Sequence, residues 1–224
     1  MIRLHVTVEG PTEKRFVNRL LGPHLHNYKV YANARCVLTS RDNQTKIEYR
    51  GGSPSYLKTR KDIKTWIAED NNPECRFTTM FDLYALREDF PGKEEANRQT
   101  DPYAKVRIIE EAFSEDIGDH RFIPYIQLHE FETLIFSDPG QLAMEHFESE
   151  SAIANLVGML KEVGGNPELL NDGYETCPSR RILKEIPDYD KANAGIIIAE
   201  KIGLPKMRSE CSHFNNWLTK LENL

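Results

Sequence analysis

Apolar and polar residues alternate from the first positions of the chain. Ile2, Leu4, Val6 and Val8 share one side and Arg3, His5 and Thr7 the other, which is the period of a half-buried strand. Thr12 then offers a cap for a helix whose apolar side is Phe16, Val17, Leu20 and Leu21. RCVL (35–38) reads as a short strand, and Tyr56, Ile63, Trp66 and Ile67 fall at helical spacing within 55–70. FTTMFD (77–82) is a further strand. The segment 101–113 starts with an Asp101 cap and Pro102 at the first helical position, and it turns Val106, Ile109, Ala112 and Phe113 inward. RFIPYIQL (121–128) follows as a strand. Strands alternating with helices of this length predict right-handed crossovers and an α/β fold, a mainly parallel sheet flanked by helices. From about residue 139 the pattern turns helical, through QLAMEHF, AIANLVGMLKEV, NAGIIIAEKIG and FNNWLTKLENL. A soft boundary near 140 separates an α/β core (1–140) from a helical C-terminal part (141–224) packed on it. No internal repeat interrupts the scheme.

Composition narrows the class. A chain of 224 residues with 39% hydrophobic content and no apolar run of membrane-spanning length reads as soluble, with no membrane partner. MIRLHVTVEG resembles a first core strand rather than a signal peptide, so the expected location is cytoplasmic. Cys36, Cys75, Cys177 and Cys211 are far apart with no CxxC pair, which argues for free thiols and against a zinc knuckle or a disulfide framework. The net charge of -6 disfavours a generic basic nucleic-acid coat but not a local basic strip. Such a strip exists between Arg41 and Lys64, where Arg41, Lys46, Arg50, Lys58, Arg60, Lys61 and Lys64 oppose Asp42, Glu48 and Asp62. A solvated loop and helix face is the plain reading, and a surface that tracks phosphates is the sharper one.

The candidate chemistry lies in the acids that follow strands. Glu9 ends the first run, Asp82 ends FTTMFD, and Glu130 and Glu132 come directly after RFIPYIQL. Parallel strands bring these ends to one edge of the sheet, where ligands usually sit. Carboxylates held that close repel one another unless a cation joins them, and an all-oxygen donor set suits magnesium or manganese rather than zinc. Glu13 and Glu132 have a second possible use, complementing a helix N-terminus. His129 beside Glu130 reads more simply as a packing group than as a zinc ligand.

At these residues the chain resembles the DUF4276 family, which is placed in a Toprim-like clan with the nucleases of the OLD family. The resemblance runs through VEGPTE (8–13), TTMFDLYALREDFPG (78–92), FIPYIQLHEFETLIFSD (122–138), NPELLNDGYETCPSRRI (166–182), PDYDK (187–191) and CSHFNNWL (211–218). It implies a Toprim-like core in which Glu9 matches the glutamate after the first strand and Asp82 the first aspartate of a DxD-type motif. Tyr84 stands where the second aspartate would be, so Glu130 or Glu132 would have to supply that ligand. Glu13 fits the place of a second acid found one turn after the first in OLD-type nucleases. Arg180, Arg181 and Lys191 add basic groups that could bind a scissile phosphate or steady the leaving oxygen.

The expectation is therefore a nuclease-like protein dependent on Mg2+ or Mn2+. Glu9, Asp82, Glu130, Glu132 and Lys191 would be catalytic, Glu9, Glu13, Asp82, Glu130 and Glu132 would be metal ligands, and Arg41, Lys46, Arg50, Arg180 and Arg181 would bind DNA or RNA. The resemblance also implies the effector half of a bacterial anti-phage pair whose partner is an ABC or AAA-type ATPase, because the chain has no GxxxxGK[ST] loop of its own. A non-catalytic docking partner of such an ATPase and a hydrolase of small nucleotides or phosphoesters are the alternatives.

Overall fold

The computed structural model describes residues 1–41, 48–50, 55–146, 148–170, 173, 176–191 and 193–224, with backbone alone at 38–41 and 48–50. Strand β1 (Ile2–Val8) leads into helix α1 (Pro11–Phe16), which continues through a wider π turn over Val17–Leu21 into α2 (Gly22–His26). Its N-cap is Gly10 rather than Thr12, which is buried inside the first turn. Strand β2 (Val30–Cys36) is longer than the expected 35–38 and pairs parallel with β1 from Ile2↔Val30 to Val8↔Cys36. A small antiparallel pair, β3 (Leu38–Arg41) and β4 (Glu48–Arg50), follows. Helix α3 (Tyr56–Glu69) then returns the chain to β5 (Cys75–Asp82), which lies parallel on the other side of β1.

After α4 (Lys93–Ala96) and α5 (Pro102–Ile117), the expected strand 121–128 divides into β6 (Phe122–Ile123) and β7 (Ile126–Gln127), both parallel to β5. Pro124 is the cause, since it has no N–H to give a ladder. The Thr78 hydroxyl donates to the Ile123 carbonyl (2.5 Å), while the Thr79 hydroxyl donates to the Tyr125 carbonyl (2.9 Å) and accepts its N–H (3.0 Å). The sheet order is β2-β1-β5-β6, with β7 extending the β5 edge.

Both faces are covered. On one, Leu4, Val6, Val8 and Met80 pack with Phe16, Phe131, Phe214 and Trp217, so residues of α1 and α2 share a core with α6 (Glu132–Ile135), α7 (Glu150–Glu162), α8 (Pro178–Glu185), α9 (Ala194–Glu210) and α10 (Ser212–Glu222). On the other, Phe77 and Phe81 pack against Ile63, Trp66, Val106, Ile109 and Phe113 of α3 and α5. The polar side of β1 is covered as well: the His5 ring stacks on Phe77 at 4.9 Å and bonds Asp70 at 2.8 Å. Sheet, helices on both faces and a helical C-terminal region make this an α/β fold. No described helix is long and apolar enough to cross a membrane, and all four cysteines are buried thiols.

Candidate functional site

Parallel pairing carries the ends of β1, β5 and β7 to one edge, and the acids follow from there. The Glu9 carboxylate reaches the backbone of Asp82, whose N–H lies 3.4 Å from Glu9 Oε2. Glu130 leaves β7 after a sharp bend at His129, which takes a left-handed φ of 62°, a conformation uncommon outside glycine that collects at functional turns. His129 itself is a packing group. Its Nε2 faces the Glu168 carbonyl at 2.8 Å and its own carbonyl accepts the Tyr84 N–H at 3.0 Å. Phe131 anchors the same segment by an edge-on contact with Phe16 at 5.5 Å, and Glu132 opens α6 without any exposed surface.

Lys191 meets this edge from the C-terminal region. Its Nζ lies 2.7 Å from Glu132 Oε2, 3.7 Å from Glu130 Oε2 and 3.8 Å from Asp82 Oδ2, and its side chain remains 39% exposed. The segment that delivers it is fixed by Tyr189, which is buried, and by Gly195 of α9, where an added Cβ would meet the Tyr189 hydroxyl at 2.9 Å. Ser179, at the start of α8, grips Glu130 through its N–H (2.5 Å) and hydroxyl (3.0 Å). Glu13 caps α1 by accepting the Gly10 N–H at 2.9 Å, so its helix-terminus use is realised while it stays close enough to push Glu9 upward.

The electrostatics are those of an undercompensated cluster. Burial, then Glu13, lifts the Glu9 carboxyl to about 7. Burial lifts Glu132 to about 7 against the pull of Lys191, and it drives Asp82 well above the carboxylate range. Lys191 is pushed up by Asp82, Glu132 and Glu130 despite its own burial. Asp82 Oδ1 and Glu132 Oε1 are buried with no hydrogen-bond partner among the described residues. As the side chains stand, no three acids, histidines or cysteines among the described residues form a metal-binding group, and the Lys191 ammonium lies between three of the acids. The donor set is nevertheless all-oxygen and partly orphaned, which fits magnesium or manganese.

The proposed nucleic-acid contacts are more scattered. Arg180 is exposed on α8, and Arg181 donates its Nε to the Thr176 carbonyl at 2.6 Å. Lys46 lies outside the described residues, and Arg41 and Arg50 are described only as backbone in β3 and β4. Further along the strip, Arg60 pairs with Asp116 at 2.5 Å and Asp62 with Arg35 at 3.3 Å, so part of its charge is spent on the α3 packing. The roles of Ser179, Tyr189 and Gly195 are visible only once the fold brings α8 and α9 against α6. The signal in the sequence was the place of Ser179 inside PSRRI and of Tyr189 inside PDYDK, without a geometry to read it by, and Gly195 lies in neither motif.

An all-parallel sheet with buried acids at one carboxyl edge and a lysine set among them defines an α/β protein with an acidic strand-end site. The chain belongs to the family of the domain of unknown function DUF4276, whose model matches residues 8–222. No curated protein and no solved structure matches it.

Proposed function

We propose that this chain is a divalent-metal-dependent phosphodiester-cleaving protein of the nuclease type. The observation that carries the reading is the convergence of Glu9, Asp82, Glu130 and Glu132 at one edge, with buried carboxyl oxygens on Asp82 and Glu132 that no described group satisfies. Burying acids without matching cations is costly for folding and common at working sites. Glu9, Asp82, Glu130 and Glu132 would hold Mg2+ or Mn2+, which when bound supplies a Lewis acid for a phosphoryl oxygen and an acidified water.

The chain's own groups set up the rest. Ser179 fixes the Glu130 carboxylate, and Lys191 is the ammonium at hand for an anionic phosphate once it leaves the acids. Burial strengthens every charge interaction at the edge by lowering the local dielectric. The substrate is DNA or RNA, and the partner a separate ABC or AAA-type ATPase of an anti-phage pair. These last assignments rest on the Toprim-like resemblance of the motifs.

Calorimetric titration with Mn2+ tests the reading, alongside cleavage of labelled oligonucleotides. The wild type is expected to bind Mn2+, and Glu9→Gln and Asp82→Asn to lose both binding and cleavage while keeping the fold. Relief of repulsion should leave the metal-free variants as stable as the wild type or more so. A folded wild type that takes up no Mn2+ would overturn the enzyme in favour of a docking module.

A further inference from the structure

A cavity of 420 Å³ lies beside the acids, lined among others by Leu83, Tyr84, Lys93, Lys105, Ile109 and His129. That volume falls within the ~300–1,000 Å³ usual for small-molecule sites. The cavity and the acids share backbone: Leu83 and Tyr84 directly follow Asp82, and His129 directly precedes Glu130. One wall is aromatic. Tyr84 is 37% exposed, its hydroxyl donates to the Gly173 carbonyl at 3.4 Å, and the His129 ring lies 6.0 Å away at 31°.

Another wall is cationic. Lys93 and Lys105 are both half-buried, and neither makes an ion pair with a described residue. Lys93 points its ammonium at the Leu83 carbonyl, 3.4 Å away. Burial lowers it, Glu88 opposes that and Lys105 adds to it. Asn97, Gln99 and Thr100 supply amide and hydroxyl groups, and Leu83, Ala96 and Ile109 an apolar floor. Gly92 makes the arrangement possible. Its φ of 75° starts α4, and a Cβ there would meet the Ile108 carbonyl of α5 at 2.9 Å.

We infer that this cavity is a nucleotide subsite, in which the nucleotide next to the cleaved bond of a single strand lays its base on Tyr84 and its phosphate between Lys93 and Lys105. A flat π face, two cations without an ion pair among the described residues and a rim of amides match a nucleotide in three ways at once: stacking, phosphate contact and base-edge hydrogen bonds. A simple acidic metabolite would use the lysines and leave the ring idle. The inference rests on the phosphodiester function proposed above and adds the residues that hold the polymer.

The test is fluorescence anisotropy in EDTA, with a short mixed-sequence single-stranded oligonucleotide, as DNA and as RNA, and with adenosine monophosphate as competitor. Tyr84→Ala is expected to weaken oligonucleotide binding about 5- to 100-fold, the value of one stacked base. Tyr84→Phe, which keeps the π face, should stay within about twofold. Lys93→Met with Lys105→Met should flatten the dependence of log Kd on log salt by about 0.7, one phosphate contact on a single strand. Preference of the same pattern for DNA or for RNA would name the polymer.

Unchanged affinity and slope in these variants, with unchanged thermal midpoints, would overturn the subsite, as would a wild type that binds no oligonucleotide. Competition by the mononucleotide at the oligonucleotide's own affinity would overturn the polymer and leave a free nucleotide. Mn2+ calorimetry separates the two readings. If Mn2+ binds and Tyr84→Ala keeps full oligonucleotide affinity, the subsite alone fails. If the oligonucleotide pattern holds and no Mn2+ binds, the phosphodiester function fails and the subsite stands.

Discussion

Glu132 and Glu9 are acids that their surroundings penalise for being charged. Each rises from an ordinary 4.5 to about 7, Glu132 because burial outweighs Lys191, and Glu9 because burial and Glu13 act together. In metal-free protein this has a direct consequence for stability. Between about pH 4.5 and 7 the folded chain retains protons that the unfolded chain has released, so stability falls as pH rises through that window and levels off above it. Asp82, raised in the same sense, adds to the trend. Each such group contributes at most about 1.4 kcal/mol per pH unit. Denaturant unfolding in EDTA across that range is expected to give a falling midpoint, and Glu132→Gln, which has no proton to lose, should flatten the fall. A midpoint that rises through the window in both proteins would show that the acids are paired. The same residues explain why Lys191 sits where it does: it is the one ammonium that Asp82, Glu130 and Glu132 share among the described residues.

At the scale of elements, the site depends on how segments enter and leave the sheet, and Gly92 is the most exposed to test. Alanine at a left-handed position costs about 1–2 kcal/mol by itself. Here its Cβ would also press on the Ile108 carbonyl at 2.9 Å and on the Ala112 Cβ at 3.0 Å. Gly92→Ala is therefore expected to destabilise by about 2–3 kcal/mol, within the range of strained backbone substitutions. Gly158 is the control. It lies within α7 with nothing inside 4 Å of an added Cβ, so Gly158→Ala should stabilise by about 0.5–1 kcal/mol. Chemical denaturation of the pair checks both signs.

The elements also account for what could be read in advance. The acids were legible because each follows an apolar run, and parallel pairing then fixes where the run ends. The Asp101 cap was legible too, and its carboxylate accepts the N–H groups of Tyr103 and Ala104. Strand β2 was mostly missed because its inward positions Ala32 and Ala34 are too small to mark a period. The break at Pro124 was missed because the threonines that repair it are 45 and 46 residues away in sequence. Thr12 looked like a cap, yet Gly10 takes that place with Glu13 reaching back to it. Lys93 and Lys105 carried no signal, since two lysines twelve positions apart gain meaning only when α4 folds onto α5.

At the scale of the whole molecule, the two stretches that differ in pattern on either side of residue 140 are joined by the core and by the site. Leu4, Val6 and Val8 of β1 share one cluster with Phe214, Trp217 and Leu218 of α10. The Trp217 indole donates to the Thr78 hydroxyl at 2.9 Å, across 139 residues of chain. Glu168, with no exposed surface, accepts the N–H groups of His213 and Phe214 at the start of α10 as well as the Tyr103 hydroxyl of α5. The acids belong to the first stretch, while Lys191 and Ser179 belong to the second. Removing 141–224 would therefore bare the apolar face of β1 and leave Glu132 without its ammonium. Baring that apolar face costs more than a marginally stable domain can absorb. Residues 1–140 and 141–224 made separately are expected to lack cooperative unfolding, and the full chain to unfold in a single transition whose calorimetric and van't Hoff enthalpies agree. Two resolved transitions in the full chain, or a fragment 1–140 that melts cooperatively and binds Mn2+ as the full chain does, would show instead that the acidic edge is complete without the helices that deliver Lys191.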